Sequence, residues 1–129
     1  MSRVVTIINA GFTIRHEITL TKGESHFDIK NQFHLRMQSF ANKELIMRLK
    51  TDIKNKKTYY TDLNGFQMAK RQFFKKIPLQ GNVYPMPTVA YIEDLKSRIN
   101  FFTGQPLAMT SSIDSTIDIF LGNFYTYFL

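Results

Sequence analysis

The side chains that could hold a metal or move a proton are few, and their spacing argues against both uses. His16, His26 and His34 are the three histidines, and the chain has no cysteine. Without thiolates there is no disulfide framework, no cysteine-ligated zinc site and no cysteine nucleophile. His26 and His34 share a strand face, but eight residues of extended chain hold them roughly 26 Å apart, too far for one ion. No pattern brings His16 to either, so all three read as hydrogen-bonded or solvent-facing imidazoles. A glycosidase needs two carboxyl groups flanking the scissile bond, and Asp62, Glu93 and Asp94 are the candidates. Asp62 stands in a turn, where an aspartate bonds nearby backbone, and Glu93 and Asp94 stand at a strand end. Structural use is the expectation for each. No residue is assigned as catalytic, cofactor-binding or metal-ligating, and no dinucleotide fingerprint, P-loop, nucleophile elbow or His-Glu-x-x-His pattern occurs.

Aromatic residues offer a second kind of chemistry. The pairs Tyr59–Tyr60, Phe73–Phe74 and Phe101–Phe102 put one ring on each face of a sheet. Rings on the outer face could stack against the apolar faces of sugars, while rings on the inner face belong to the core. Basic charge is a third. Seventeen Lys and Arg against ten Asp and Glu give a formal charge of +7, which suits acidic partners. The cations are nevertheless spread from Arg3 to Arg98, with small groups at 54–57, 70–71 and 75–76. KRQFFKK at 70–76 only weakly matches the aromatic and basic interleaving of single-strand binders. Solvated surface charge is the reading, with no nucleic-acid partner.

The elements that must position these residues alternate with period two. Phe12, Ile14, His16, Ile18 and Leu20 fall on one face, and Thr13, Arg15, Glu17 and Thr19 on the other. After a turn at 20–25, Phe27, Ile29, Phe33, Leu35 and Met37 share a face that Asn31 interrupts, as at a bulge or strand end. Leu45, Met47, Leu49 and Ile53 mark a third strand over 44–53. Strands over 58–61 and 66–71 flank the DLNG turn, strands over 88–93 and 98–103 are joined by the polar stretch 94–97, and a last strand covers 116–121. A helix over 42–54 is the weaker alternative there. At 129 residues the chain makes one domain, expected to be an all-β antiparallel sandwich that is incomplete as it stands. The first sixteen residues read as the middle of a folded domain rather than as a signal peptide, and no stretch is long and apolar enough to span a bilayer as a helix. No membrane contact by this segment is expected. No Asn-x-Ser/Thr sequon occurs.

Three motifs carry an identity. TYYTDLNGFQ at 58–67 writes a tight turn between strands. PLQGNVYPMP at 78–87 reads as an extended, ordered connection, and AYIEDLKSRINFFTGQPL follows at 90–107. In order, spacing and identity they resemble the C-terminal β-sandwich region of glycoside hydrolase family 38, nearest to its Golgi-type α-mannosidase II branch. The likeness runs from about Val4 to about Leu121 and is densest over 42–107. It implies a fragment of a retaining α-mannosidase that trims mannose from N-glycans in the Golgi lumen and secretory pathway. The partners implied are the missing N-terminal α/β catalytic domain, the helical region, and a mannose-containing N-glycan bound through the parent enzyme. Zinc and the aspartate nucleophile belong to that catalytic domain, so no cofactor is expected in this chain. The domain expectation is a partial C-terminal sandwich over 1–121 and a divergent or truncated tail over 122–129. Two departures stand out. Ala108 opens AMTSSID at 108–114 where the family has glycine, and GNFYTYFL at 122–129 replaces Asp-Arg-Arg and a glycine- and acid-rich segment. Unpaired sheet edges follow from that ending. The alternative reading is an independent carbohydrate-binding module.

Overall fold

The structure, a computed structural model, describes residues 1–9, 12–34 and 43–124. The expected positions of Leu35 and Met37, and residues 125–129 of the tail, lie outside the described residues. Strands dominate, and the chain divides into two compact units. One comprises Met1–Lys43 with the last residues from Phe124, and the other Glu44–Asn123.

The first unit is an antiparallel meander of β1 (Ser2–Asn9), β2 (Thr13–Leu20) and β3 (Phe27–His34), in that order. Period-two patterning sets its register. Val4 lies opposite Ile18 and Ile18 opposite Ile29, and Ile8 lies opposite Ile14 and Ile14 opposite Phe33, so β-branched and aromatic pairs stack along one face. The other face joins Arg3 to Glu17 at 2.6 Å and Arg15 to the same carboxylate at 3.3 Å. The arginines hold the Glu17 carboxyl below its ordinary value: the hydrogen bond from Arg3 is the largest influence and outweighs burial. Asn31 marks neither a bulge nor a strand end. The register runs unbroken from Leu20–Phe27 to Thr13–His34, and Asn31 lies opposite His16, whose Nδ1 is 2.6 Å from its Oδ1. The polar interruption is matched across the strand, so the ladder needs no extra residue.

The second unit is a two-layer sandwich. One sheet orders β4 (Lys43–Lys50), β11 (Thr116–Phe124), β10 (Leu107–Thr110) and β7 (Tyr84–Met86). The other orders β6 (Met68–Gln72), β5 (Thr58–Asp62), β8 (Val89–Glu93) and β9 (Arg98–Phe102). Met86, Met109, Ile117 and Ile119 from the first sheet pack with Tyr59, Ala90 and Ile92 from the second, and Ile53 closes the core. Each fully buried Ile or Met contributes about 1.5–3 kcal/mol of transfer free energy.

Connections follow local chemistry. Asn64 and Gly65 take φ of +51° and +78°, the left-handed pair of a type I′ turn, and Phe66 N donates to Leu63 O. The strands expected at 44–53 and 66–71 occupy 43–50 and 68–72 instead. Ile53 is buried from a loop, and Phe66 belongs to the turn. The connection 78–83 is not fully extended: a single 3₁₀ turn covers Leu79–Asn82, with Pro78 preceding it in an extended conformation. Three strands escape period-two reading, namely β1, β7 and β10. The last two are only three and four residues long.

Candidate functional site

The outer face of the β6-β5-β8-β9 sheet gathers most of the residues with chemical potential. Register places them in three rows. Lys70, Tyr60, Tyr91 and Asn100 lie side by side, with Gln72 and Thr58, and Glu93 and Arg98, on one flank. Met68 beside Asp62, and Val89 beside Phe102, occupy the other.

The middle row is built by stacking. Tyr60 and Tyr91 have centroids 4.3 Å apart and planes 12° apart, and the Arg98 guanidinium lies 4.2 Å from the Tyr91 centroid. Two groups this close to one ring cannot share a face, so Tyr91 is held between Tyr60 and Arg98. Arg98 is fixed in turn by Glu93, whose Oε2 accepts from both Nε and Nη2. Burial raises the Tyr91 phenol pKa, and the Glu93 charge adds to it. These contacts occupy the ring faces of Tyr91 that a sugar would need for stacking. Tyr59 is core. Burial pushes its phenol pKa up to about 12, and its hydroxyl donates to Asn82 O at 2.6 Å. Phe101 packs on the core, Phe102 is 80% exposed, and Lys57 Nζ sits 5.6 Å from the Phe73 ring.

The carboxylates singled out by sequence are fastened to backbone. Asp62 Oδ1 accepts from Thr88 N and Val89 N at 3.0 and 3.1 Å, and Oδ2 from Gly65 N and the Thr88 hydroxyl at 2.8 and 3.0 Å. The residue thus closes its own turn and ties β5 to the start of β8. Burial alone would raise its pKa, but the four donors win and hold it below the ordinary carboxylate value. Asp94 accepts from Lys96 N, Lys54 N and Ser97 N, which lower its pKa together. Glu93 serves Arg98.

Polar residues that sequence reading passed over knit the loops. Asn82 is fully buried; its Oδ1 accepts from Phe74 N at 2.7 Å, while Nδ2 donates to Phe74 O at 3.0 Å and Pro78 O at 3.2 Å. Asn55 links three connections, donating to Thr58 O and Ser111 Oγ and accepting from Ser115 N. Lys56 and Lys57, at φ +50° and +61°, form the left-handed turn that Asn55 closes, although neither is glycine. Arg48 grips the buried Asp118 through Nε at 2.6 Å and Nη2 at 2.9 Å. The signal for these lies in register and burial, which one-dimensional spacing does not carry.

His16 bonds Asn31, and His26 lies 3.5 Å from exposed Glu24. Among the described residues no three His, Cys, Asp or Glu side chains gather as a metal site would need. The described residues do not fit a zinc centre.

Comparison with known proteins adds what geometry alone does not. The family model described as "Glycosyl hydrolases family 38 C-terminal domain" matches residues 1–127. Mouse "Alpha-mannosidase 2x" is 40% identical over 99 residues, covering 77% of this chain and 9% of the relative. Arabidopsis thaliana "Alpha-mannosidase 2" is 42% identical over 96 residues, 72% of this chain and 8% of the relative. Drosophila melanogaster "Alpha-mannosidase 2" is 44% identical over 81 residues, 63% and 7% respectively. The chain thus spans less than a tenth of the length of the curated relatives it matches. With the family model matched over nearly its whole length, and the expected β-sandwich strands in place, this chain belongs to the glycoside hydrolase family 38 C-terminal domain family.

Proposed function

We propose that the chain supplies part of the C-terminal β-sandwich of an α-mannosidase, supporting the catalytic domain and walling its glycan cleft without being catalytic itself. In this reading residues 1–121 form the partial sandwich. The parent enzyme holds zinc in its own α/β domain, takes mannose-containing N-glycans and works in the Golgi lumen. One observation carries the proposal: Asp62, Glu93 and Asp94 are each committed to donors of the fold in a chain 40% identical to a mannosidase over 99 residues. A retaining glycosidase needs one carboxylate free to attack and one free to give a proton, about 5–5.5 Å apart. Carboxylates committed to backbone N–H groups, as Asp62 and Asp94 are, or to an arginine, as Glu93 is, are poor in both roles.

The test is a chimera of the full-length mouse relative in which the matched 99-residue segment is replaced by this chain's own. The folded chimera should release p-nitrophenol from p-nitrophenyl α-mannoside at a rate comparable to the parent. A folded, zinc-loaded chimera without activity would overturn the supporting role.

A further inference from the structure

We propose that Asn64 is a latent deamidation site, kept closed by the hold of the Asp62 carboxylate on the Gly65 amide. The inference goes beyond the α-mannosidase reading and concerns the chemistry of one turn. Of the eight asparagines, only Asn64 precedes a glycine. Without a Cβ, Gly65 leaves its own nitrogen unhindered as a nucleophile toward the Asn64 carboxamide. Lys56 after Asn55, Val83 after Asn82 and Phe101 after Asn100 each crowd that nitrogen with a side chain. Asn64 and Gly65 are both exposed, so water and base reach them.

The reaction needs only water and a base. Gly65 N gives its proton to hydroxide or a buffer base and bonds to Asn64 Cγ, closing a cyclic imide. The Cγ–Nδ2 bond breaks, and Nδ2 takes up a proton and leaves as ammonia. Water then opens the imide at either carbonyl, giving aspartate by one route and isoaspartate by the other. In sum, carboxamide and water become carboxylic acid and ammonia, with nothing oxidised or reduced.

The folded turn opposes each move. Gly65 N donates to Asp62 Oδ2 at 2.8 Å, so the proton that must leave is held, and an amide anion there would face a carboxylate. Asp62 is itself buried and anchored to the next strand, because Thr88 Oγ1 donates to the same oxygen at 3.0 Å and Thr88 N and Val89 N donate to Oδ1. Asn64 and Gly65 stand in left-handed backbone at φ +51° and +78°. Leu63 N donates to Gln67 O at 2.8 Å and Phe66 N to Leu63 O at 3.1 Å, which clamps the turn on both sides. Closing the imide rotates the peptide between Asn64 and Gly65, and these bonds resist that rotation. Attack therefore waits for a local opening in which Asp62 releases Gly65. Isoaspartate carries the main chain through the former side chain, one methylene longer, so the original turn cannot re-form.

The test compares the wild-type chain with Asp62→Asn and with Ile92→Val, which trims the core and leaves the Asp62 bonds in place. Urea is added to the more stable variant until the two unfold with equal free energy. After incubation in neutral buffer, trypsin releases the peptide 58–70, and mass spectrometry with fragment ions places any deamidation at position 64. A synthetic peptide of the same residues is the unfolded reference. Wild type should react at least about tenfold more slowly than the peptide. Asp62→Asn should react about tenfold faster than wild type, as loss of a hydrogen bond to a charged group implies. Ile92→Val at matched stability should change the rate by less than about threefold. Wild type reacting at the peptide's rate, Asp62→Asn reacting no faster than wild type, or equal acceleration in the two variants would each overturn the inference. Where Asp62→Asn fails to fold, hydrogen exchange of the wild-type Gly65 N–H decides. Exchange at least about tenfold slower than in the peptide supports the hold of Asp62, and exchange at the peptide's rate overturns it.

Discussion

Asp62 ties its own turn to the start of β8, and its replacement gives a sharp stability prediction. The residue is 2% exposed, and its carboxylate receives three backbone N–H groups and one hydroxyl. A hydrogen bond to a charged group contributes about 1.5–3 kcal/mol, and a buried donor left without an acceptor costs about 1–3 kcal/mol. Asp62→Ala orphans the amides of Gly65, Thr88 and Val89 together. Because such bonds are not additive, the expected loss is about 3–5 kcal/mol rather than their sum. Asp62→Asn keeps one carbonyl oxygen for Thr88 N and Val89 N but offers Gly65 N a donor instead of an acceptor, so about 1–3 kcal/mol is expected. Urea unfolding at pH 7, followed by near-ultraviolet dichroism of the tyrosines clustered in this unit, measures both. The pH dependence has a fixed sign. The folded-state pKa lies below the ordinary aspartate value, so the stabilisation is fully present above that value and fades as pH falls through the folded one. The gap between wild type and Asp62→Asn should be constant from pH 7 to about 5 and narrow below about 4. An Asp62→Ala variant within about 0.5 kcal/mol of wild type, the range of ordinary surface changes, would refute the reasoning.

Other perturbations test other parts of the fold. Asn82→Ala removes the side chain that holds Phe74, Ile77 and Pro78, so trypsin should cut at Lys75 and Lys76 about tenfold faster, as expected when local opening becomes easier. Unchanged cleavage would show the loop is held by something else. Lys56→Gly relieves a left-handed backbone at φ +50° and should stabilise the sandwich unit by about 0.5 kcal/mol, the strain relief less the entropy glycine adds to the unfolded chain. A loss of stability in urea would mean the lysine side chain matters more than its backbone. Thr58→Val removes the hydroxyl bonded to Gln72 and should leave the strand pairing intact, with a fall in stability below about 1 kcal/mol by the same measurement.

Much of the fold was legible because it rests on alternation. The faces Ile14–Ile18 and Ile29–Phe33 follow from period two alone, and Asn64–Gly65 writes its turn outright. Legibility fails where a segment is short or its partner distant. β7 and β10, at three and four residues, are too short to show a period, and β1 carries apolar residues on both faces and so shows none. The 3₁₀ turn at Leu79–Asn82 is fixed by Pro78 and by buried Asn82, whose partners reach back to Phe74. At the candidate site the structural use of Asp62 and Asp94 could be read from turn chemistry. The sandwiching of Tyr91 between Tyr60 and Arg98 could not, since it depends on β5, β8 and β9 meeting in one register.

The central claim, that the acidic side chains of this chain hold a fold and do not break glycosidic bonds, is tested most directly by incubating the purified, folded chain with p-nitrophenyl α-mannoside in the presence of zinc. No release of p-nitrophenol above the protein-free rate is predicted. Turnover that disappears in Asp62→Asn or in a Glu93→Gln variant of equal stability would contradict it.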